Sequence, residues 1–265
     1  MSYLEVPAAK LYYEAEGSGP TVLLVHAGVA HLRMWDEQVA AWRDRLRIIR
    51  YDTRGFGKTV TQDEPYSNRD DIRRLLDHLE VDRAALVGAS RGGSIAIDFT
   101  LEQPDRVSAL VPVGSGLGGF EGPDDGIDWD AIEELWKAKR WDELVEREVQ
   151  IWTDGIAQPP DRVAPHVRRR MTEWGLENYR AEQPAEKAQV LDPPAAGRLG
   201  EIRVPTLVVW GDIDAPSVTA ASEFMAREIA RARRHVFTGV AHMVNLERPA
   251  EFNRLVGDFL AETAG

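Results

Sequence analysis

From residue 21 onward the chain repeats one alternation of short, almost purely apolar runs with longer segments whose apolar residues recur three and four apart. The runs TVLLVH (21–26), RLRIIRYD (45–52), AALVGAS (84–90), VSALVPVGS (107–115) and TLVVWGD (206–212) are rich in β-branched residues and carry few polar interruptions. That is the pattern of parallel strands covered on both faces. Between them WDEQVAAWRDR (35–45), NRDDIRRLLDHLEV (68–81) and GGSIAIDFTLEQP (92–104) have one apolar and one polar face, as amphipathic helices do, and Pro104 closes the last. Strand, helix, strand alternation of this kind predicts right-handed crossovers and an α/β fold built on a doubly wound, mostly parallel sheet. Ahead of it, YLEV and KLYYEAE alternate residue by residue and predict an antiparallel edge, with a turn at Pro7 to Ala9.

The alternation breaks between Gly119 and Gly200. Two charged segments of helical period, 128–152 and 161–183, follow one another with no strand between them, and the Pro-rich stretches AQPPD and LDPPAAG punctuate their ends. The expected organisation is therefore a core over 1–118, an inserted helical lid over 119–200, and the rest of the core over 201–265. The last part has a helix around VTAASEFMAREIA, a strand around RRHVFTG and a final helix, PAEFNRLVGDFLAET.

Charge and composition narrow the chemistry. A formal net charge of −12, from 32 basic and 44 acidic residues, repels phosphate backbones and anionic lipid, which sets nucleic acid and membrane surfaces aside as partners and favours a small molecule. With no cysteine, disulfides, thiolate nucleophiles and Cys-ligated metals are excluded. The start of the chain shows no leader pattern, and no run approaches the ~18 apolar residues of a membrane span, so a cytoplasmic location is expected. No metal cluster and no nucleotide-binding glycine loop is visible, so no cofactor and no metal is expected. Oligomeric state leaves no mark.

The stretch ALVGASRGGSIAID carries the sharpest signal. Gly88-Ala89-Ser90-Arg91-Gly92 fits the nucleophile-elbow spacing G-x-S-x-G, with a strand before it and a helix after. A nucleophile at the tip of so tight a turn crowds the positions two before and two after it, where a Cβ has no room. The helix N-terminus then directs free amides at an oxyanion forming beside the serine. A serine hydroxyl needs a neutral imidazole to take its proton and a carboxylate to hold that imidazole. Downstream of Ser90, VVWGDIDAPS ends a strand with Asp212 and Asp214, and TGVAHMVNLERPAEF places His242 between the last strand and the last helix. His242 is preferred to His235, which lies inside a strand. Asp214 is preferred to Asp212, whose place suits a turn brace. The loop LLVHAGVAHLRMW supplies a second amide at Gly28 or Val29 to join that of Arg91, and His26 reads as a residue that braces this loop.

With these residues in hand the chain resembles the α/β-hydrolases over essentially its whole length. The resemblance rests on VLLVHAGVAHLRMWDEQ, IIRYDTRGFGKT, LVGASRGG, TLVVWGDIDAP and VAHMVNLERPAEF, in that order. It implies Ser90 as nucleophile, Asp214 as acid, His242 as base, and Gly28 with Arg91 as backbone donors to the oxyanion. Within the family, His-Ala-Gly, Leu-Arg-Met-Trp and Arg-Tyr-Asp-Thr-Arg-Gly are similar to the 3-oxoadipate enol-lactonase and small carboxylesterase group. Two positions depart from the usual pattern: Ala27 stands where the family has glycine, and Arg91 where it has Met, Gln or Leu. Arg91 and Arg33 could hold a substrate carboxylate, although pairing with the protein's own acids is the plainer role for each.

Five of the eight tryptophans (Trp129, Trp136, Trp141, Trp152, Trp174) fall in the lid. Most are expected to hold the lid together, with Trp136 and Trp152, beside Val29 and Arg33, as candidates to meet substrate. Arg168 to Arg170 read as a solvated helix face. The function these features imply is a serine hydrolase acting on the ester or lactone of a small, partly apolar acid. The alternatives are carbon–carbon bond hydrolysis of a vinylogous diketone by the same triad, or a lyase, perhydrolase or ligand receptor on the same fold.

Overall fold

A strand that is apolar on both sides can be buried only between two layers of helices, and the central runs of this chain are of that kind. In β3 (Thr21–Val25) the side chains of Val22 and Leu24 enter one core layer, and those of Leu23 and Val25 enter the other. β6 (Ala84–Ala89) divides likewise, with Ala85 and Val87 on one side and Ala84 and Leu86 on the other. The computed structural model describes residues 2–263.

Nine strands form one sheet in the order β1-β2-β4-β3-β6-β7-β8-β9, with β5 paired to β2. Its remaining members are β1 (Ser2–Val6), β2 (Ala9–Glu16), β4 (Arg47–Tyr51), β5 (Val60–Thr61), β7 (Val107–Val113), β8 (Thr206–Gly211) and β9 (Ala232–Phe237). From β4 across to β9 every pairing is parallel, whereas β1, β4 and β5 each meet β2 antiparallel. The expected α/β class and sheet type therefore hold, and the two-residue β5 is an addition the pattern was too short to announce.

Helices α1 (Asp36–Trp42) and α9 (Pro249–Thr263) cover one face, packing Trp42 and Val39 against Phe252 and Val256. On the other face lie α2 (Asn68–His78), α3 (Arg91–Glu102) and α7 (Pro216–Glu228), with Leu75, Phe99 and Met225 among the buried contacts. Each fully buried side chain of this size contributes roughly 1.5–3 kcal/mol. Among the described residues no helix is long and apolar enough to cross a membrane.

The chain runs from β3 outward to β4, then returns to lay β6 on the other side of β3. Such a reversal opens a crevice beyond the carboxyl ends of the two strands, where open α/β sheets bind their ligands.

Between β7 and β8 the chain leaves the sheet, and the charged stretch expected to be helical proves to be two helices. α4 (Trp129–Lys137) ends where Lys139 takes a left-handed conformation at φ 53°, and α5 (Trp141–Val149) begins after it. A π-helical turn over Gln150–Asp154 extends α5 and stops at Gly155. α6 (Pro165–Arg180) then starts on a proline, whose fixed φ suits a first helical position. Arg168, expected on a solvated face, instead turns its Nε onto the buried Asp154 carboxylate at 3.1 Å. Burying the Asp154 carboxylate demands a cationic partner, and Arg168 supplies the direct ion pair.

The junction of β6 and α3 leaves no room for side chains. A Cβ placed on Gly88 would lie 2.3 Å from Gly92 O, and one on Gly92 would lie 2.2 Å from Val25 O. Both obstacles are backbone and cannot rotate away. Gly92→Ala is therefore expected to lower the urea-unfolding free energy by about 2–3 kcal/mol, while Gly200→Ala, whose added methyl meets nothing within 4 Å, should stay within about 0.5 kcal/mol of the parent. Equal midpoints for the two variants would contradict this reading of the junction.

Candidate active site

Ser90 links β6 to α3 with φ 52° and ψ −119°, a conformation that L residues hold only when their surroundings enforce it. The enforcement is the absence of side chains at Gly88 and Gly92, together with a hydrogen bond from the Ser90 N–H to Val113 O at 2.8 Å. Arg91 is the first residue of α3, so its backbone N–H has no acceptor within the helix and faces the crevice end of the turn.

The loop after β3 lies against this turn. Val25 O and His26 O are the atoms that crowd Gly92, and the Cα of Gly28 faces the Arg91 side chain, with Cδ 3.3 Å from where a Cβ would stand. Ala27, in the position where glycine was expected, is fully buried, and its N–H points at Met34 Sδ at 3.2 Å. His26 fixes the loop from within. Its Nδ1–H donates to Ala27 O at 2.7 Å, and its Nε2 accepts from Thr53 N at 3.0 Å. Complete burial pushes the ring pKa down to about 3, because a charged imidazole there would lose its hydration. His26 is thus a neutral brace whose two nitrogens are both committed.

Asp214 and His242 arrive from the ends of β8 and β9. Asp214 closes a turn through its N–H to Gly211 O, and its carboxylate meets His242 Nδ1 at 2.9 and 2.8 Å. Both side chains are buried. Since a carboxylate can only accept, Nδ1 carries a proton, and in the neutral ring that tautomer leaves the lone pair on Nε2. Gly114, next after the carbonyl that holds Ser90, would bring a Cβ within 3.2 Å of Asp214 Oδ2 and 3.3 Å of His242 Nδ1. The serine turn and the acid–base pair therefore share the end of β7. Among the described residues no hydrogen bond joins Ser90 Oγ to His242 Nε2, while Asp214 and His242 are in direct contact. Asp212 accepts from Gly239 N at 2.7 Å, and His235 stays in β9 beside Glu251. Neither joins the pair.

The loop carrying His242 is also held from the insertion. Arg162 donates to Thr153 O and Asp154 O of the π turn, to Gly239 O, and to both carboxylate oxygens of Glu247. Glu247, in α8 (Val244–Glu247), accepts in turn from Ala241 N at 3.0 Å. The π turn puts Trp152 over the base, with ring centroids 4.7 Å apart. No residue spacing flags such a turn. Arg162 and Glu247 went unmarked for a related reason: they are 85 positions apart in ordinary polar segments.

A cavity of about 410 Å³ lies between the loops after β3 and β4 and the insertion, and its walls include Gly28, Val29, Trp136, Asn178, Tyr179 and Glu186. It reaches the crevice at Gly28 and Val29; Ser90, His242 and Trp152 are not among its lining residues. Of the residues expected to meet substrate, Val29 and Trp136 thus line the cavity and Trp152 stands on the base. Arg33 does neither. It is exposed on the outer side of its turn, where Asp36 takes its guanidinium at 2.8 Å. Arg91 extends across the Phe56 ring to Thr53 Oγ1 at 2.9 Å and to Glu186 of the insertion at 2.7 Å. Among the described residues no group of three or more His, Cys, Asp or Glu is arranged to hold a metal.

Comparison with known proteins agrees with this fold. The model of the alpha/beta hydrolase family matches residues 22–255. A 2-hydroxy-6-oxononadienedioate/2-hydroxy-6-oxononatrienedioate hydrolase of Paraburkholderia xenovorans (strain LB400) is 30% identical over 95% of this chain and 91% of its own. The 3-oxoadipate enol-lactonase 2 of Acinetobacter baylyi is 24% identical over 89% and 87%. The crystal structure of the enol-lactonase from Burkholderia xenovorans LB400 superposes with a TM-score of 0.81 at 26% identity, covering 98% of this chain and all of that one.

His26 gives a sharp test of its enclosure. In a long-range ¹H–¹⁵N spectrum its ring is expected to keep the shifts of the neutral, Nδ1-protonated form from pH 7 down to pH 5. A His26 signal that titrates near the ordinary value of about 6.5 would contradict the burial described here.

Proposed function

The chain belongs to the α/β-hydrolase family, and on that premise we propose that it is a serine hydrolase cleaving an ester or lactone of a small, partly apolar acid. The observation that carries the reading is the buried Asp214–His242 contact at the end of β7, beside a serine held in a left-handed turn. In the proposed reaction Ser90 Oγ attacks the carbonyl carbon as His242 Nε2 takes its proton. The oxyanion is received by the backbone N–H groups of Gly28 and Arg91. The tetrahedral species then collapses, and His242 returns the proton to the departing oxygen, leaving an acyl group on Ser90. Water, deprotonated by the same nitrogen, releases the acid and restores the serine. Asp214 holds the imidazole in the tautomer this cycle needs, and helices α4 to α6 serve as the cap. No cofactor takes part in the cycle.

A second reading keeps the same residues and changes the bond. The hydrolases of 2-hydroxy-6-oxo-dienoates among the relatives act on compounds whose enol and ketone form a vinylogous diketone. Water attack at that ketone breaks a carbon–carbon bond, and this reading is supported by the 30% identity to one such enzyme.

Ser90→Ala is expected to cut turnover of a p-nitrophenyl butyrate or a dienoate substrate by about 10⁶-fold with an unchanged melting profile. A fluorophosphonate probe should label the parent at Ser90 alone, as read by peptide mapping. Near-parental turnover in the variant, or labelling elsewhere, would overturn the nucleophile assignment. The ratio of ester to dienoate turnover decides between the two bonds.

A further inference from the structure

The turn that carries Gly28 is held at both ends, and the two holds come from different parts of the chain. Ala30 N donates to Ala27 O at 3.2 Å, so Gly28 and Val29 are the middle residues of the turn 27–30. Among the described residues neither of their N–H groups has a hydrogen bond. At the start of the turn the hold comes from the core, since Ala27 O also receives His26 Nδ1–H at 2.7 Å. At its end the hold comes from the insertion. Ala30 O accepts from Asn178 Nδ2 of α6 at 3.1 Å, and among the described residues that is its one donor.

Asn178 serves a second loop at the same time. Its Oδ1 accepts from Gly57 N at 3.0 Å, in the loop after β4. Gly57 has φ 53° and abuts the Asp52 carboxylate, where a Cβ would lie 2.2 Å from Oδ2. Asp52 accepts in turn from Leu32 N and Lys58 N, each at 2.8 Å. The two loops are thus joined from within by Asp52 and from the insertion by Asn178. A carboxamide suits this place because it donates to a carbonyl and accepts from an amide at once, whereas an ionised carboxylate only accepts.

Ala30 is fully enclosed, and Asn178 is buried. A buried carbonyl that loses its donor must find another partner. Turning the peptide between Ala30 and His31 to do so shifts the turn that precedes it. The adjacent residue of α6 makes a different contact: the exposed Glu177 reaches His31 Nε2 at 3.2 Å, one residue past the turn.

We propose that Asn178 is a positioning residue for the oxyanion site: its two hydrogen bonds hold the turn 27–30 against the loop after β4, and so set the Gly28 N–H where the oxygen of the tetrahedral species forms. Docking of α6 and readiness of that amide are then one event. The inference rests on the hydrolase reading, which supplies the oxyanion.

The experiment measures two quantities on the full-length chain and three variants. One is the rate constant for labelling of Ser90 by a fluorophosphonate, whose phosphoryl oxygen takes the place of the oxyanion. The other is the pair kcat and KM for p-nitrophenyl butyrate at pH 8. Asn178→Asp keeps the acceptor for Gly57 N and, ionised, removes the donor to Ala30 O. Asn178→Ala removes both bonds and admits water from the adjoining cavity, which Asn178 lines, so that a folded variant is available. Each is expected to lower the labelling rate and kcat by about 10²-fold, the scale of a small misplacement at the reacting centre, with KM within about twofold of the parent. Glu177→Ala, which loosens the same helix without touching the turn, should leave labelling rate and kcat within about twofold. Labelling and kcat near the parental values in Asn178→Ala, or an equal loss in Glu177→Ala, would overturn the proposal. So would a raised KM at unchanged kcat, the mark of direct substrate contact. Labelling of the unmodified chain at Ser90 tests the hydrolase reading by itself; an unlabelled, inactive parent removes that reading and the inference with it.

Discussion

The constraint on which this molecule depends is the lack of room between the end of β6 and the start of α3. Gly92 rests against the carbonyls of Val25 and His26, and Gly88 against the backbone of Gly92 itself. Strand, helix and the loop after β3 are thereby held in mutual backbone contact. Ser90 has no conformation left to it but the left-handed one, and its side chain stands where the sheet order reverses. Because two backbones are locked together, Gly28 and Arg91 are placed by the same contact that places the hydroxyl. Local strain at one serine is offset by the burial of nine strands and their flanking helices.

Around that junction the protein arranges its ionisable groups by burial. His26 is kept neutral by complete enclosure and spends both nitrogens on the loop. His242, also buried, has Nδ1 on Asp214 and, among the described residues, no hydrogen bond at Nε2. Two imidazoles near one crevice thus differ in their bonds, one committed at both nitrogens and the other at one. Asp212 and Asp214, two positions apart, divide in the same way, one bracing Gly239 and the other holding the imidazole.

Much of this was legible in the amino-acid order because it rests on local rules. Doubly apolar runs imply covered strands, the glycine spacing implies the turn, and the carboxylate and imidazole follow at strand ends, where loops must open on the crevice side. What was not legible depends on distance or on a count of backbone hydrogen bonds. Arg33 resembled a binding residue in sequence, yet Asp36 sits three positions on and takes its charge outside the crevice. The partner of Arg91 lies 95 residues away, in the insertion. The π turn that positions Trp152 adds a residue to a helix without disturbing its apolar spacing enough to be seen.

The bonds of Arg162 bear on how firmly the insertion is attached. That guanidinium fastens the π turn to α8 and to the segment leading into His242, through groups largely shielded from solvent. Lifting the insertion at that edge would dislodge the imidazole as well. The opposite edge is closed by Arg91 and the solvent-exposed Glu186, a pairing of the kind that dissolved salt readily weakens. Ionic strength should therefore loosen the Arg91–Glu186 attachment of the insertion well before the Arg162 attachment that braces the His242 segment.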